Sequence, residues 1–166
     1  MAASATYEPI ATTSGTGSST TITFASIPQT YTDLVIIVSN IDVQIDDMGA
    51  RLNQDSGSNY SRNRMHANGT TVSANRNSNL SKVFFGYKDG TANTSTYGIL
   101  NIMNYSNSTT YKPALARYST YSSSYATFAE VYLWRSTAAI TRIDIDSGNA
   151  NFSTNCKFTL YGIAAA

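Results

Sequence analysis

Charged residues are scarce in this sequence. They make up 13% of the 166 residues, whereas about 25% is usual in a soluble domain, and the formal net charge is only +1. A nucleic-acid-binding domain needs a basic surface to neutralise phosphates, so this balance argues against a nucleic-acid partner. Serine, threonine and asparagine, together with 12 tyrosines, stand in place of the missing charges.

Cysteine and long apolar runs are also scarce. With one cysteine, Cys156, an intrachain disulfide is impossible and a cysteine-based zinc site is not indicated. The longest aliphatic run, Leu34 to Val38, is far shorter than the ~18 apolar residues of a transmembrane helix. The first 19 residues lack the basic and apolar segments of a secretory signal. We therefore expect a soluble chain made in a cytoplasm, with no membrane partner.

Short β-type segments separated by polar turns dominate the chain. β-branched and aromatic residues are frequent, and no segment repeats apolar residues at helical spacing over three turns. The segments predicted as strands are 20–24, 32–39, 50–54, 63–67, 81–87, 97–105, 114–120, 125–134, 139–146 and 156–163. About eight to ten strands without crossover helices predict an all-β, antiparallel, jelly-roll-like β-sandwich in a single domain. We assign residues 20–166 to that domain and residues 1–19 to an extended N-terminal arm.

No arrangement of residues predicts a catalytic site. The chain's one histidine, His66, follows Asp55 and several serines in the stretch "NQDSGSNYSRNRMH". A general base needs a fixed partner, and nothing in the spacing fixes any of these side chains against His66. The two glutamates, Glu8 and Glu130, are too far apart in sequence to indicate the carboxylate pair of a glycosidase. We expect no enzyme, no catalytic residue and no cofactor, and interpret the His66 stretch as a surface turn or an interface contact.

The aspartates allow two readings. Asp42, Asp46 and Asp47 could begin a calcium site, because Ca²⁺ prefers several oxygen ligands. Their spacing does not match an EF-hand loop, so a polar loop without a metal is favoured, and ion binding stays open. Segment 142–146 carries an arginine and two aspartates, which we interpret as a solvated or subunit-facing strand edge.

A tyrosine- and serine-rich stretch, residues 104–128, indicates a contact surface. Tyrosine offers a large contact area at low entropic cost, and serine adapts around it. The residues predicted to be exposed contacts are Tyr111, Tyr118 and Tyr121. Trp134, which precedes Arg135, is interpreted as a tryptophan at the rim of the core covered by the arginine, with a sugar-stacking platform as the alternative.

Five blocks of sequence carry a family resemblance: "ITFASIPQTYTDLVIIVS" (22–39), "NQDSGSNYS" (53–61), "NYSNSTTYKPALARYS" (104–119), "VYLWRSTAAITRIDI" (131–145) and "FTLYGI" (158–163). In this order they resemble small β-sandwich structural proteins of tailed bacteriophages, cyanophages among them. That group includes capsid cement (decoration) proteins, and related domains occur at tail-fibre tips. The resemblance implies a β-sandwich that usually assembles as a trimer and has no catalytic residues.

From the residues and the resemblance together we expect a non-enzymatic virion protein on the outer capsid surface. It would form a homotrimer and bridge major capsid proteins as a capsid cement protein. The residues expected to contact the shell lie in the arm and are Tyr7, Glu8, Pro9 and Ile10. The alternative is a receptor- or glycan-binding tip of a tail fibre, with Trp134 or the aspartates at the sugar.

Overall fold

The computed structural model describes residues 6–42, 45–88, 96–121 and 125–164. These residues form strands and no helix, and hence no helix long and apolar enough to cross a membrane. The strands are β1 (Tyr7–Ser14), β2 (Thr21–Phe24), β3 (Asp33–Ile41), β4 (Ile45–Leu52), β5 (Tyr60–Asn68), β6 (Thr71–Leu80), β7 (Val83–Lys88), β8 (Thr96–Ile102), β9 (Lys112–Tyr121), β10 (Tyr125–Trp134), β11 (Ile143–Asp146) and β12 (Lys157–Ile163).

Two antiparallel sheets form the sandwich. The larger has eight strands in the order β1-β12-β3-β8-β9-β10-β5-β6, and the smaller has four in the order β2-β11-β4-β7. The predicted fold class, an all-β antiparallel jelly-roll-like sandwich, is confirmed. Ten of the strands overlap predicted segments, whereas β1 and β6 were not predicted. The polar loop expected to hold Asp46 and Asp47 is wrong from residue 45 onward, because Ile45–Leu52 forms β4.

Alternation along the strands places the core between the sheets. On β12, Phe158 and Leu160 are buried while Lys157 is exposed, because successive side chains point to opposite faces. The apolar run in β3 places Leu34 and Ile36 in the same core. Each such side chain stabilises the fold by about 1.5–3 kcal/mol through burial, so these local patterns determine which face of each strand points inward.

The N-terminal segment belongs to the larger sheet. Strand β1 pairs with β12, from Tyr7 opposite Ile163 to Ser14 opposite Lys157, with a bulge after Pro9. Without β1, the backbone groups along the open side of β12 would form a sheet edge. The predicted boundary between an arm and a sandwich at residues 19 and 20 is therefore wrong from Tyr7 onward. Residues 1–5 lie outside the described part of the chain.

The smaller sheet covers only part of the larger one. Its edge strand β7 packs against β8 and β9. Beyond β7, the inward side of β5 carries polar side chains, among them Arg62 and Arg64, and the Arg62 guanidinium lies over the Phe84 ring at 5.5 Å. This difference in strand number leaves one end of the interior uncovered. A second surface of the larger sheet is open because it points away from the smaller sheet.

Candidate functional site

The surface of β8, β9, β10, β5 and β6 that points away from the smaller sheet, which we call the outer face, is largely apolar. On β10, Glu130, Tyr132 and Trp134 are buried. Val131 therefore points to the outer face. It is flanked across the strands by Leu115 of β9 and by residue 63 of β5. Strand β10 thus carries apolar side chains on both sides, although only one side faces the core.

Large apolar side chains on the outer face are exposed to solvent. The exposed fractions are 64% for Met65, 78% for Val72, 55% for Tyr97 and 53% for Val131. Ile99, Leu115 and Ala129 lie among them and are half-buried. Contiguous apolar surface of this kind is uncommon on a monomer and marks a site of interaction with another molecule.

Two shallow depressions run across the outer face. One has a volume of about 540 Å³ and is lined by Val72, Tyr97 and Ile99 among others. The second has a volume of about 470 Å³ and is lined by Leu115 and Val131 among others. Met65 lines both depressions, and exposed Arg117 and Arg76 each border one of them. An apolar centre with polar and arginine side chains around it is the usual composition of a protein–protein interface.

The predicted contact residues of the N-terminal segment divide into two pairs. Tyr7 and Pro9 are exposed, and the Tyr7 ring meets Tyr161 edge-on with 6.2 Å between centroids. Glu8 accepts a hydrogen bond from the Tyr31 hydroxyl at 3.1 Å, and Ile10 packs against the core. Tyr7 and Pro9 are therefore available to a partner, whereas Glu8 and Ile10 stabilise the strand itself.

The three predicted tyrosine contacts also differ from one another. Tyr111 is exposed just before β9. The prediction for Tyr118 is wrong, because it is 8% exposed and its hydroxyl donates to Glu130 Oε1 at 2.9 Å. Tyr118 shares a strand face with Ala114 and Ala116, which point into the core. The side chain of Tyr121 lies outside the described residues.

Glu130 is enclosed in a buried network. It is fully buried and accepts hydrogen bonds from the hydroxyls of Tyr118 and Tyr132, and Arg62 Nη1 lies 3.4 Å from Oε2. Burial, reinforced by the charge of Glu130, raises the pKa of Tyr118 and of Tyr132 well above the usual range. The carboxylate is thus saturated with internal partners and closed to solvent, which suits a structural role.

The structure does not bring His66 and Asp55 together as a catalytic pair. Asp55 accepts hydrogen bonds from Asn59 and from the backbone of Gly57 within its own turn, and from Trp134 Nε1 at 2.7 Å. Partial burial would raise the pKa of Asp55, but these hydrogen bonds outweigh it and hold the pKa below its usual value. Asp55 therefore anchors its turn and the tryptophan.

Trp134 is a core residue. It is 2% exposed and stacks on Tyr60 with 6.3 Å between ring centroids. The Arg135 guanidinium donates to the backbone carbonyls of Ser58 and Ser78. A ring buried on both sides offers no face to a sugar, so the sugar-stacking reading is wrong for this residue.

The acidic residues form no metal cluster in the part of the chain that the structure describes. Asp42 is exposed and accepts hydrogen bonds from Ser153 and Asn155, while the side chains of Asp46 and Asp47 lie outside the described residues. The calcium reading thus stays open at two of its three positions.

The prediction for segment 142–146 is wrong, because β11 lies between β2 and β4 and is no edge strand. Asp144 and Asp146 are buried, each in an ion pair. Arg142 Nη2 lies 2.8 Å from Asp144, and Arg51 and Lys82 lie 2.6 and 2.7 Å from Asp146. The three cations close this side of the smaller sheet over the two carboxylates.

Comparisons with known proteins identify no family. No family model and no curated protein matches the chain. Among solved structures, an exo-inulinase from Aspergillus awamori aligns with a TM-score of 0.45 at 9% identity, over 95% of this chain and 29% of the inulinase chain. A galectin from Caenorhabditis elegans aligns with a TM-score of 0.39 at 8% identity, over 93% of this chain and 96% of the galectin. The chain therefore spans under a third of the inulinase it is similar to.

Proposed function

We propose that this chain is a non-enzymatic virion structural protein, a capsid cement (decoration) protein that forms a homotrimer and bridges major capsid proteins on the outer capsid surface. The observation that carries the proposal is the outer face, where exposed Met65, Val72, Tyr97 and Val131 form one apolar surface. Covering such a surface with a partner removes apolar area from water and so favours association. The low charge of the chain reduces repulsion between copies.

A closed ring of three identical chains needs two different patches on each copy, because each interface in such a ring is heterologous. The outer face supplies one patch. Met103 and Tyr111 supply the second: both are exposed, and they lie at the same end of the β8–β9 hairpin, where Met103 N donates to the Pro113 carbonyl. In the proposed trimer, the Met103 and Tyr111 patch of one copy packs on the outer face of the next.

The residues that would have to act in an enzyme are engaged in the fold. Glu130 is enclosed by two tyrosines and Arg62, and Asp55 is occupied by Trp134 and its own turn. The tail-fibre alternative is weakened by the burial of Trp134, since the ring it would place against a sugar is not accessible. These observations support a function based on surface contact.

The mass of the assembly tests the trimer. We expect the purified chain to show a mass three times 17.9 kDa by light scattering. Val131→Asp and Tyr111→Asp should each give a folded monomer, because a charge is placed in one of the two patches. Ala138→Asp, in an exposed loop outside both patches, is the matched control and should remain a trimer.

A mixture of the two patch variants gives a sharper result. Each retains the patch that the other lacks, so the mixture should form a dimer through one intact interface and no trimer. A monomeric wild-type chain, or trimers of both variants, would contradict the assembly.

Binding to capsids that lack the protein, measured by co-sedimentation, tests the location. We expect the wild-type trimer to sediment with the shell. Density for the chain at the tail in an image reconstruction, together with a glycan-array signal, would overturn the cement function in favour of the fibre tip.

A further inference from the structure

A small cavity lies at the uncovered end of the interior, on the opposite side of the larger sheet from the outer face. It has a volume of about 240 Å³ and is lined by Arg64, His66, Asn68, Tyr87, Thr120, Ala126 and Phe128. The strand register explains the space, because Ala126 on β10 lies between Asn68 on β5 and Thr120 on β9, and its methyl group fills little of the gap. We call this cavity the inner cleft.

Three residues that line the inner cleft each carry a buried polar atom without a hydrogen-bond partner: Arg64 Nε, His66 Nδ1 and Thr120 Oγ1. Thr120 is only 7% exposed, so bulk water does not solvate it freely. A buried polar group without a partner costs about 1–3 kcal/mol, and such groups are rare in folded proteins. All three belong to residues that line one cavity, and this grouping points to a ligand that supplies the missing partners.

The positive charge of the inner cleft favours an anionic ligand. Glu130 lies directly across from Arg64 in the strand register, but its oxygens face Tyr118, Tyr132 and Arg62. Arg64 has no ion pair within the described residues, and its guanidinium lies over the Phe128 ring at 5.7 Å. Arg62 pairs with Glu130, so among the described residues Arg64 has no carboxylate of its own.

The hydrogen-bond donors of the inner cleft favour a ligand with oxygen acceptors. A guanidinium has only donors, a threonine hydroxyl can donate, and an imidazole can carry its proton on Nδ1. Guanidinium groups bind carboxylates and similar oxyanions through paired hydrogen bonds. His66 stacks on Phe128, which stacks on Tyr118, with centroid distances of 5.7 and 4.5 Å. This row of rings holds the imidazole in place before a ligand arrives.

We propose that the inner cleft binds a small carboxylate through Arg64, His66 and Thr120. A volume of 240 Å³ holds about eight waters at ~30 Å³ each, which suits a carboxylate with a few attached atoms. The inner cleft lies on the opposite side of the larger sheet from the outer face, although Arg64, His66 and Phe128 also line the depressions there.

The single histidine of the chain makes the test direct, because its ring signals in an NMR spectrum belong to His66 alone. The full chain is titrated with sodium acetate and, separately, with sodium chloride at equal ionic strength and constant pH. We expect acetate to shift the His66 ring signals saturably and chloride to leave them unchanged. Equal shifts from both salts would overturn the proposal and leave the cavity to water.

Three variants test which residues of the inner cleft bind acetate. Arg64→Gln should weaken acetate binding about 10- to 100-fold, the effect of losing a charged hydrogen bond. Thr120→Val, which removes only the hydroxyl, should weaken it less and still fold. Lys157→Gln is the control, since Lys157 is exposed on β12 and lines neither the inner cleft nor the depressions of the outer face. Equal affinity of Arg64→Gln and Lys157→Gln would refute the site.

Glucuronate and methyl glucoside test whether the inner cleft recognises a carboxylate alone or a sugar acid. Tighter binding of glucuronate than of acetate supports a sugar acid as the ligand, whereas equal affinity supports recognition of the carboxylate alone. Methyl glucoside carries no charge and should not shift His66. If it shifts the ring as strongly as glucuronate does, charge is not what the cleft recognises and the proposal fails.

Discussion

Buried tyrosines should make this protein sensitive to alkali. Tyr60, Tyr118 and Tyr132 are each almost completely buried, and burial raises the pKa of all three above the ordinary value of 10.0. Tyr60 donates to the Asp55 carbonyl while its oxygen accepts from Leu52 N, and the other two hydroxyls donate to Glu130. The folded chain therefore holds these protons more tightly than the unfolded chain does.

The size of the loss of stability follows from the difference between the tyrosine pKa values in the folded and the unfolded chain. Because the folded pKa lies above the unfolded value of 10.0, the contribution to stability is complete below pH 10 and is lost as the pH rises above it. At about pH 11 each of the three unfolded-state tyrosines has lost its proton, which lowers the free energy of unfolding by about 1.4 kcal/mol per residue. The sum, about 4 kcal/mol, is a large part of the 5–15 kcal/mol that is typical of a domain.

Other buried groups modify this sum. Burial also raises the pKa of Tyr105 and of the Cys156 thiol, so both add to the loss. Burial lowers the pKa of Lys112. The folded chain then binds fewer protons at that amine than the unfolded chain, and this group opposes the loss as the pH rises through the usual lysine range.

Urea unfolding near pH 8 and near pH 11 measures the loss, and tyrosinate absorbance measures ionisation. Tyr60, Tyr118 and Tyr132 should ionise only when the chain unfolds. Tyr118→Phe should reduce the pH dependence of the free energy of unfolding by about a third of the tyrosine sum. If all 12 tyrosines ionise together while the protein stays folded, the reasoning is refuted.

Two further substitutions test the packing between the sheets and the ion pairs. An added Cβ at Gly98 would lie 2.2 Å from the Phe85 carbonyl oxygen on the facing sheet, so Gly98→Ala should lower the free energy of unfolding in urea by about 1–3 kcal/mol; an unchanged value would show that β7 moves freely. Although burial would raise the pKa of Asp144, hydrogen bonds from Arg142 and Thr23 lower it below 3.8. Its stabilisation is therefore present above pH 3.8 and is lost as the pH falls below it, so Asp144→Asn should show a smaller drop in urea midpoint between about pH 5 and pH 3 than the wild type. Equal drops would show that this ion pair does not couple folding to pH.

The strands that could be predicted from sequence are those with one face in the core. Segments such as "CKFTLYGI" and "TDLVIIVS" carry their apolar residues at the spacing that burial requires. Strand β6, "TVSANRNSNL", is an edge strand whose side chains are nearly all exposed, so burial imposes no pattern on it. Strand β1 contains a proline and pairs on one side only, which is why its sequence resembles a linker.

The sequence contains part of the information needed to predict the outer face. In "AEVYLW", Ala129, Val131 and Leu133 alternate with Glu130, Tyr132 and Trp134, so both faces of the strand are apolar. Which face lies in the core cannot be read from that pattern, because it depends on where the second sheet packs. In "ALARYST", Arg117 marks one face as outward, and the alternation then places Tyr118 inward.

The sequence by itself determined the class of fold, because alternation at a period of two and the turn residues act between near neighbours in the chain. Tertiary structure decided which surfaces remain open, since four strands cannot cover eight. The outer face is open because it points away from the smaller sheet, and the mismatch in strand number leaves the inner cleft uncovered beyond β7. It depends on pairings between distant segments, such as β5 with β10 and β1 with β12, which no local pattern specifies.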